Sequence, residues 1–227
     1  MKRLRVAVMQ PYFLPYPGYF RLLAAADCFV ILDCVQFNRR GRVHRAQLPG
    51  PGGAVEWLTL PLARQPREVP IRELAFAQGA RATLDARLRR VAGLTGAEGA
   101  VAERLRAWLR APLDGVVDYL EDGLRLVADL LEFKPRMLRS STLEMDPALR
   151  GQERIIAIVQ ALGGSDYVNA PGGRDLYDPD RFATAGLQLS FLPPYPGRHP
   201  FLLPALLDSG PAAVRADVLQ SLGSPLP

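Results

Sequence analysis

The sequence predicts an α/β fold with a Rossmann-like, mostly parallel sheet and a helical insertion. The chain begins with a strand over residues 6–9, a Pro-rich loop, a helix entered at Gly18 and a second apolar strand over 28–32. A strand, a crossover helix and a second strand in so short a stretch form a βαβ unit, which pairs its strands in parallel. Further short apolar strands alternate with helical patterns along the chain, which is typical of a parallel sheet covered by helices.

The elements after this unit are predicted in order from hydrophobic spacing and turn residues. Residues 45–48 and 55–61 flank the Pro- and Gly-rich turn 49–53 and predict a hairpin, and residues 71–76 predict a short strand. Apolar residues at helical spacing, interrupted by Gly and Pro, predict a helical insertion at about 81–133. The last predicted elements are strands at 137–139, 167–169 and 187–192 and helices at 151–162 and 204–207.

Length and composition indicate one domain. The 227 residues can bury one sizeable core and show no long linker, so we expect a single α/β domain over 1–227. No apolar run approaches the roughly 20 residues of a membrane span, and the basic start lacks a cleavage pattern, which predicts a cytoplasmic protein. Two Cys and two His are too few for a disulfide framework or a zinc centre, so neither a metal nor a cofactor is expected.

The net charge is +5 and comes almost entirely from arginine, since Lys2 and Lys134 are the only lysines. Arginine suits bidentate recognition of phosphate and carboxylate. The arginines are scattered along predicted helices and form no basic patch interleaved with aromatic residues. The charge pattern therefore favours a small anionic molecule over nucleic acid as the partner.

Polar residues follow the predicted strands at the ends where parallel sheets bind ligands. Because these ends meet at one edge of the sheet, a pocket there is the first place to look for a site. We expect Gln10, Tyr12, Asp33, His44 and Arg45 to line one such pocket. The residues at these strand ends and in the loops that follow them are Gln10, Tyr12, Asp33, Ser140, Ser141 and Asn169.

Residues 17–23 have the spacing of the His-x-Gly-His loop of nucleotidylyltransferases, in which the glycine opens a helix under a nucleotide's phosphates. Gly18 occupies the glycine position, but Tyr16 and Tyr19 stand in place of both histidines. Phosphate could still meet the start of this helix, and residues 140–142 resemble the serine-rich phosphate loop of those enzymes. The structural alternative is that the tyrosines pack in the core and the serines cap a turn.

Asp33, Cys34 and His44 are candidate catalytic residues. Asp33 could orient His44 as a general base, and Cys34 beside an imidazole could accept an acyl group. A cysteine at the end of a buried strand is more often an inert apolar residue. Arginines around His44 would disfavour its charged form and leave a neutral base. Those arginines suit an anionic ligand such as a sugar nucleotide or a carrier phosphopantetheine, or form a solvated face; they are Arg39, Arg40, Arg42 and Arg45, flanked by Gln36 and Gln47.

Several motifs resemble the WbqC-like protein family, and they follow one another through most of the chain. The first, Met9-Gln10-Pro11-Tyr12-Phe13-Leu14-Pro15-Tyr16, is long enough to be specific. Cys34 stands where the family pattern resembles a second Asp, so no cysteine nucleophile is carried over. The other motifs are Gly18-Tyr19-Phe20, Asp33-x-Val35-Gln36-Phe37 with Arg40 and His44-Arg45, Trp57-Leu58-Thr59-Leu60-Pro61, Ser140-Ser141, and Ala161-Leu162-Gly163-Gly164-Ser165-Asp166-Tyr167 with Pro171-Gly172-Gly173.

The resemblance implies a role in gene clusters for O-antigen, surface polysaccharide or some secondary metabolites, with a suggested attachment of glycine or another acyl group to an amino sugar. The candidate site residues it carries over are Gln10, Tyr12, Asp33, Gln36, Arg40, His44 and Arg45. The mechanism is not carried over.

Residues and resemblance together predict an N-acyl or aminoacyl transferase that acts on an amino sugar or a related small molecule. His44 would be the general base, Asp33 would orient it, and Arg40 and Arg45 would hold the anionic part of the donor. The donor would be an acyl or sugar-nucleotide compound or a loaded carrier protein. The alternatives are a nucleotidylyltransferase-like enzyme and a non-catalytic pathway binding protein. The predicted substrate site also includes Gly18, Tyr19, Ser140, Ser141 and Asn169.

Overall fold

The computed structural model describes residues 3–91 and 93–223. Five parallel strands form the central sheet in the order β5-β2-β1-β6-β7, and β3 and β4 form a separate antiparallel hairpin. The predicted α/β class is confirmed. The strands are β1 (Arg5–Met9), β2 (Cys28–Ile31), β3 (Arg45–Pro49), β4 (Val55–Thr59), β5 (Arg136–Arg139), β6 (Asp166–Asn169) and β7 (Gln188–Phe191).

Helices cover the sheet and follow most of the predicted positions. Three of them fill the segment between β4 and β5, where an insertion at about 81–133 is predicted; their status as an insertion stays a prediction. The single domain over 1–227 also remains a prediction. Residues 1, 2, 92 and 224–227 lie outside the described residues. The helices are α1 (Phe20–Ala25), α2 (Ala80–Leu88), α3 (Ala100–Leu109), α4 (Val116–Leu130), α5 (Gly151–Ala161), α6 (Pro179–Thr184), α7 (Leu202–Pro204) and α8 (Gly210–Gln220).

The sheet is buried on both faces because neighbouring residues of each strand point to opposite sides. Along β1, Val6 and Val8 pack with Ile158 of α5, whereas Ala7 belongs to the larger cluster on the other face with Phe20 of α1. All four residues of β2 are buried. This explains why these strands are continuous apolar runs, as parallel strands usually are.

Two predicted elements differ from the structure. Residues 71–76 are not a strand: Ile71–Glu73 form one 3-10 turn, and their amides are already used, since Ile71 donates to the Val35 carbonyl at 2.9 Å and Arg72 to the Asp33 carbonyl at 2.8 Å. The helix predicted at 204–207 is part of a longer helical segment, in which α7, a π turn at Ala205–Ser209 and α8 follow one another. Gly210 and Pro211 begin α8 rather than ending the helix.

A buried arginine ties the first helix to the end of the described chain. Arg21 on α1 is 1% exposed and donates to the carbonyls of Pro193 at 2.8 Å and Ser221 at 2.5 Å. Its guanidinium also lies 5.8 Å from the ring centre of Tyr195. A buried cation is costly unless it is hydrogen-bonded, so this side chain requires the C-terminal segment in place.

Candidate functional site

The sheet reverses its strand order between β1 and β6, and a cavity of about 480 Å³ lies outside the carboxyl ends of these two strands. This is the place where open α/β sheets bind ligands. We call it the switch-point cavity. Its wall includes Gln10, Tyr12, Tyr16, Gly18, Tyr19, Leu32, Arg42, Asn169, Gly172, Gly173 and Tyr177.

Two carboxamides line the cavity, one from each strand at the reversal. Gln10 follows β1, and its side chain makes no hydrogen bond within residues 3–91 and 93–223. Asn169 ends β6; its Oδ1 accepts from the Ala170 amide at 2.7 Å, which leaves Nδ2 without a described partner. A Cβ on Gly173 would lie 2.3 Å from that Nδ2, so the missing side chain gives the amide its room. Both amides can therefore donate to a ligand.

Tyrosines form the aromatic wall of the switch-point cavity. Tyr19 is buried and donates its hydroxyl to the Gln10 carbonyl at 2.8 Å, and burial raises the pKa of Tyr19 well above its ordinary value. The Tyr12 ring centre lies 5.4 Å from that of Tyr19. Burial also raises the pKa of Tyr12, against the opposing effect of the Arg42 charge. Both phenols are therefore neutral, and Tyr12 is the one whose hydroxyl makes no hydrogen bond to a described residue.

Close packing explains why residue 18 is a glycine. A Cβ at this position would lie 2.2 Å from Cε2 of Tyr16 and 2.8 Å from Cγ of Tyr195. The glycine therefore lets two aromatic rings approach the start of the 3-10 turn before α1. This contact favours the structural explanation of the loop that resembles the nucleotidylyltransferase motif.

Arg42 is the one cation in the described wall of the switch-point cavity. Its Nη2 donates to Gln47 Oε1 at 2.9 Å and its guanidinium lies 5.6 Å from the ring centre of Trp57. The Phe13 amide donates to the Arg42 carbonyl at 3.1 Å, which fixes Arg42 beside the loop after β1. The sequence predicted Arg40 and Arg45, not Arg42, as the anion-binding arginines. Spacing alone does not show which arginine of a cluster lies beside a loop that is distant in sequence.

A second group of polar residues links the ends of β2 and β5. The buried Asp33 carboxylate accepts from Ser140 Oγ at 2.8 Å, from the Ser141 amide at 2.9 Å and from Ser141 Oγ at 2.5 Å. The Asp33 amide donates back to Ser140 Oγ at 3.1 Å. We call this group the Asp33–serine cluster. Its hydrogen bonds are made inside the protein, so it joins two strand ends.

Cys34 lies beside the Asp33–serine cluster. Its sulfur lies 3.1 Å from Ser140 Oγ, whose one hydrogen is donated to Asp33, and accepts from Arg154 Nη1 at 3.6 Å. It lines a second cavity of about 570 Å³ together with Gln36, Ser140 and Ser141. Gln36 itself is exposed and donates to the Arg67 carbonyl at 2.9 Å.

His44 and Arg45 line neither of these two cavities, although both belong to the described chain. The His44 ring meets Phe37 edge to face at 5.1 Å, and its Nδ1 is buried with no partner among the described residues. Burial lowers the pKa of His44, and the Arg45 charge lowers it further. Arg45 donates to the carbonyls of Gly41 and Arg40 and stacks 4.2 Å from the centre of Trp57.

The structure thus divides the predicted site residues among separate places. The switch-point cavity holds Gln10, Tyr12, Gly18, Tyr19 and Asn169. Asp33 makes its carboxylate hydrogen bonds to serines and none to His44 within the described chain, so the expected Asp33–His44 contact is absent there. Arg40 lines a third cavity of about 620 Å³.

The described residues contain neither a cluster that could hold a metal nor a helix that could span a membrane. Across residues 3–91 and 93–223, no three His, Cys, Asp or Glu side chains come together as a metal site would require. Over the same ranges, no helix has both the length and the apolar character needed to cross a bilayer.

Comparisons with known proteins match this chain to one family. The model of the WbqC-like protein family matches residues 10–201, which include the Asp33–serine cluster and the wall of the switch-point cavity except Val8 and Met9. The uncharacterized protein Rv1507c of Mycobacterium tuberculosis is 26% identical over 205 residues, which cover 82% of this chain and 81% of that protein. No solved structure matches. Because the family model spans most of its length, the chain belongs to the WbqC-like protein family.

Proposed function

We propose that the protein is an N-acyl or aminoacyl transferase that modifies an amino sugar or a related small molecule in surface-polysaccharide or secondary-metabolite biosynthesis. The switch-point cavity binds the acceptor. The observation that supports this most is the pair of carboxamides, Gln10 and Asn169, whose amide groups remain available at the strand reversal.

The chemistry of the cavity wall matches a sugar better than a charged amino acid. Hydroxyl groups need neutral donors and acceptors, which Gln10, Asn169 and the neutral Tyr12 supply. The faces of Tyr12 and Tyr16 provide apolar surface for a ring. Arg42 adds one positive charge, which suits a phosphate attached to the sugar. An amino sugar carried on a nucleoside diphosphate has this combination of groups.

The transfer step requires the acceptor amine to lose a proton. The amine nitrogen forms a bond to the donor's carbonyl carbon, the bond from that carbon to the leaving sulfur or oxygen breaks, and the amine proton passes through a base to the leaving group. His44 is the proposed base: its lowered pKa favours the neutral imidazole, and because it does not line the cavity itself, it takes the proton through one bridging water. Its Cα lies at most about 7 Å from that of Arg42, two residues away.

A non-catalytic pathway binding protein is the second candidate. The observation in its favour is that no His, Cys, Asp or Glu lines the described wall of the switch-point cavity. A protein that only holds an intermediate needs the amides and the arginine but no base. The nucleotidylyltransferase-like alternative has weaker support, because Gly18 makes room for Tyr16 and Tyr195.

To test this, the purified protein is incubated with nucleotide-linked amino sugars and one acyl donor. The donors are acyl-coenzyme A, glycyl-carrier protein and acyl-carrier protein. Mass spectrometry of the sugar detects a new amide, and calorimetry measures acceptor binding separately. We expect an acylated sugar with at least one donor. Tight binding of a sugar nucleotide with no product from any donor would support the binding protein instead, and no binding at all would remove the proposed function.

A further inference from the structure

The second and third cavities adjoin at Gln36, beside the ends of β2 and β5, and together we call them the trough. The second has a volume of about 570 Å³ and the third about 620 Å³, and Gln36 lines both. At its inner end the trough reaches Cys34, which is two residues from Leu32 in the wall of the switch-point cavity. The end of β2 therefore contributes residues both to the trough and to the cavity proposed for the acceptor.

Five arginines of the trough have no carboxylate partner among residues 3–91 and 93–223. The ten ion pairs of these residues all involve other arginines. The trough does contain Glu68, Asp146 and the paired Arg72, so its charge is positive without being uniform. The five arginines are Arg39, Arg40, Arg67, Arg150 and Arg154.

Backbone carbonyls fix several of these side chains without neutralising them. Arg154 donates to the Cys34 carbonyl at 3.1 Å, and Arg39 donates to the Gln65 carbonyl. A carbonyl removes none of the guanidinium's charge. Positioned guanidinium groups with uncompensated charge are the arrangement that binds phosphate.

The inner end of the trough is different in character. Apart from Arg154, whose Nη1 lies 3.6 Å from the Cys34 sulfur, its lining is neutral polar and apolar: Cys34, Ser141, Leu143 and Met145. A ligand that matches the whole trough is anionic at one end and neutral along an arm that reaches toward Leu32. The phosphopantetheine arm has these properties, because a phosphate is joined through two amides to a terminal thioester.

We propose that this trough binds the phosphopantetheine arm of the acyl donor, with the phosphate on the outer arginines and the thioester at the inner end near Cys34. This rests on the proposed function, since it names the donor for the same transfer. In the step, the acceptor nitrogen bonds to the thioester carbon, the carbon–sulfur bond breaks, and the arm leaves as a thiol that takes the amine proton.

Calorimetry with coenzyme A, 4′-phosphopantetheine, pantetheine and ATP tests the binding directly. We expect coenzyme A and phosphopantetheine to bind, and pantetheine, which lacks the phosphate, to bind at least about tenfold more weakly. Arg40→Gln and Arg67→Gln should each weaken coenzyme A binding about tenfold. The side chains of Arg40 and Arg67 make no hydrogen bond to a described residue, so these variants should fold normally.

Arg136→Gln is the matched control, because Arg136 is an exposed arginine at the opposite end of β5. Titration with a phosphopantetheinylated carrier protein distinguishes the two sources of the arm: tighter binding of the carrier indicates a carrier-borne donor, and tighter binding of coenzyme A indicates the free thioester. ATP binding as tight as that of coenzyme A would overturn the proposal, and so would affinity unchanged by both trough variants or absent for every pantetheine compound. Coenzyme A binding that persists while no sugar is acylated would remove the proposed function and leave the trough assignment standing.

Discussion

The switch-point cavity and the Asp33–serine cluster occupy equivalent positions at the ends of neighbouring parallel strands, yet they differ in where their hydrogen bonds go. In the cavity, Gln10 and Asn169 keep amide groups without described partners. In the cluster, every oxygen of the Asp33 carboxylate is occupied by Ser140 or Ser141. A polar residue at a strand end is therefore a candidate ligand group only where the protein leaves it unpaired.

The largest effect that this comparison predicts is the loss of stability on changing Asp33 to Ala. Three accepted hydrogen bonds disappear and the buried Ser140 hydroxyl loses its acceptor, so the free energy of unfolding should fall by about 3 kcal/mol or more. Urea unfolding measures it. Asp114→Ala, at an exposed carboxylate with no described partner, should change it by less than about 0.5 kcal/mol. A stable Asp33→Ala protein that no longer binds acceptor would place Asp33 in the site instead.

His44→Ala should lower the rate of acyl transfer about 10²-fold, because the proposed general base is lost. Acceptor affinity should stay the same, since His44 does not line the switch-point cavity. Steady-state kinetics and calorimetry separate the two effects, and His199→Ala serves as the control. A normal rate in the His44 variant would show that the proton goes elsewhere.

Gln10→Ala should weaken acceptor binding about tenfold, or about 1.4 kcal/mol, through the loss of hydrogen bonds to the ligand. Stability should change by less than about 1 kcal/mol, because the Gln10 side chain has no described hydrogen-bond partner to lose. Gln78→Ala, at an exposed loop position, is the matched control for both measurements. The comparison between cavity and cluster fails if Gln10→Ala unfolds the protein as readily as Asp33→Ala does.

Cys34→Ser should retain most of the transfer activity. The sulfur accepts from Arg154 and lies 3.1 Å from Ser140 Oγ, and a hydroxyl can make the same contacts. We expect a rate within about threefold of the original, which corresponds to less than about 1 kcal/mol. Mass spectrometry of the protein under turnover provides the check. An acyl group trapped on Cys34, with an inactive serine variant, would make the protein a covalent acyltransferase.

The smallest expected effect is a pH dependence of stability that comes from His44. The pKa of His44 in the folded protein lies below the ordinary 6.5. As the pH falls through 6.5, the unfolded chain therefore binds more protons than the folded protein does. Stability from this residue is complete above pH 6.5 and is lost as the pH falls. Unfolding curves at pH 7.5 and pH 5.5 should differ more for the original protein than for His44→Gln. Equal differences would mean that His44 titrates normally.

Local patterns were sufficient to predict the βαβ unit, the hairpin and the later strands. Each depends on hydrophobic spacing and turn residues within a short stretch of chain. The strand expected at 71–76 is wrong because its amides pair with the loop after β2, and nothing in residues 71–76 encodes that contact. The helix α8 did have a local signal, since Pro211 lies in its first turn, where proline favours a helix start.

The candidate site was less predictable for the same physical reason. Gln10 and Asn169 line the same cavity because the parallel sheet brings the ends of β1 and β6 together, and that position is readable from strand ends. Whether Asp33 binds a ligand or has a structural role depends on Ser140 and Ser141, which lie 107 and 108 positions further along the chain. The place of Arg42 in the cavity wall depends on its backbone contact with Phe13. Such long-range pairings are decided by the complete fold.

The buried Arg21 has a consequence for the order of events during synthesis. A nascent chain that has emerged only as far as β6 already contains α1 and the strands around it, but the carbonyls of Pro193 and Ser221 lie 172 and 200 positions beyond Arg21. Until they arrive, burying the guanidinium would leave a cation without acceptors. The N-terminal βαβ unit on the ribosome should therefore stay loosely packed around α1 and become protease-resistant only when the last helix docks.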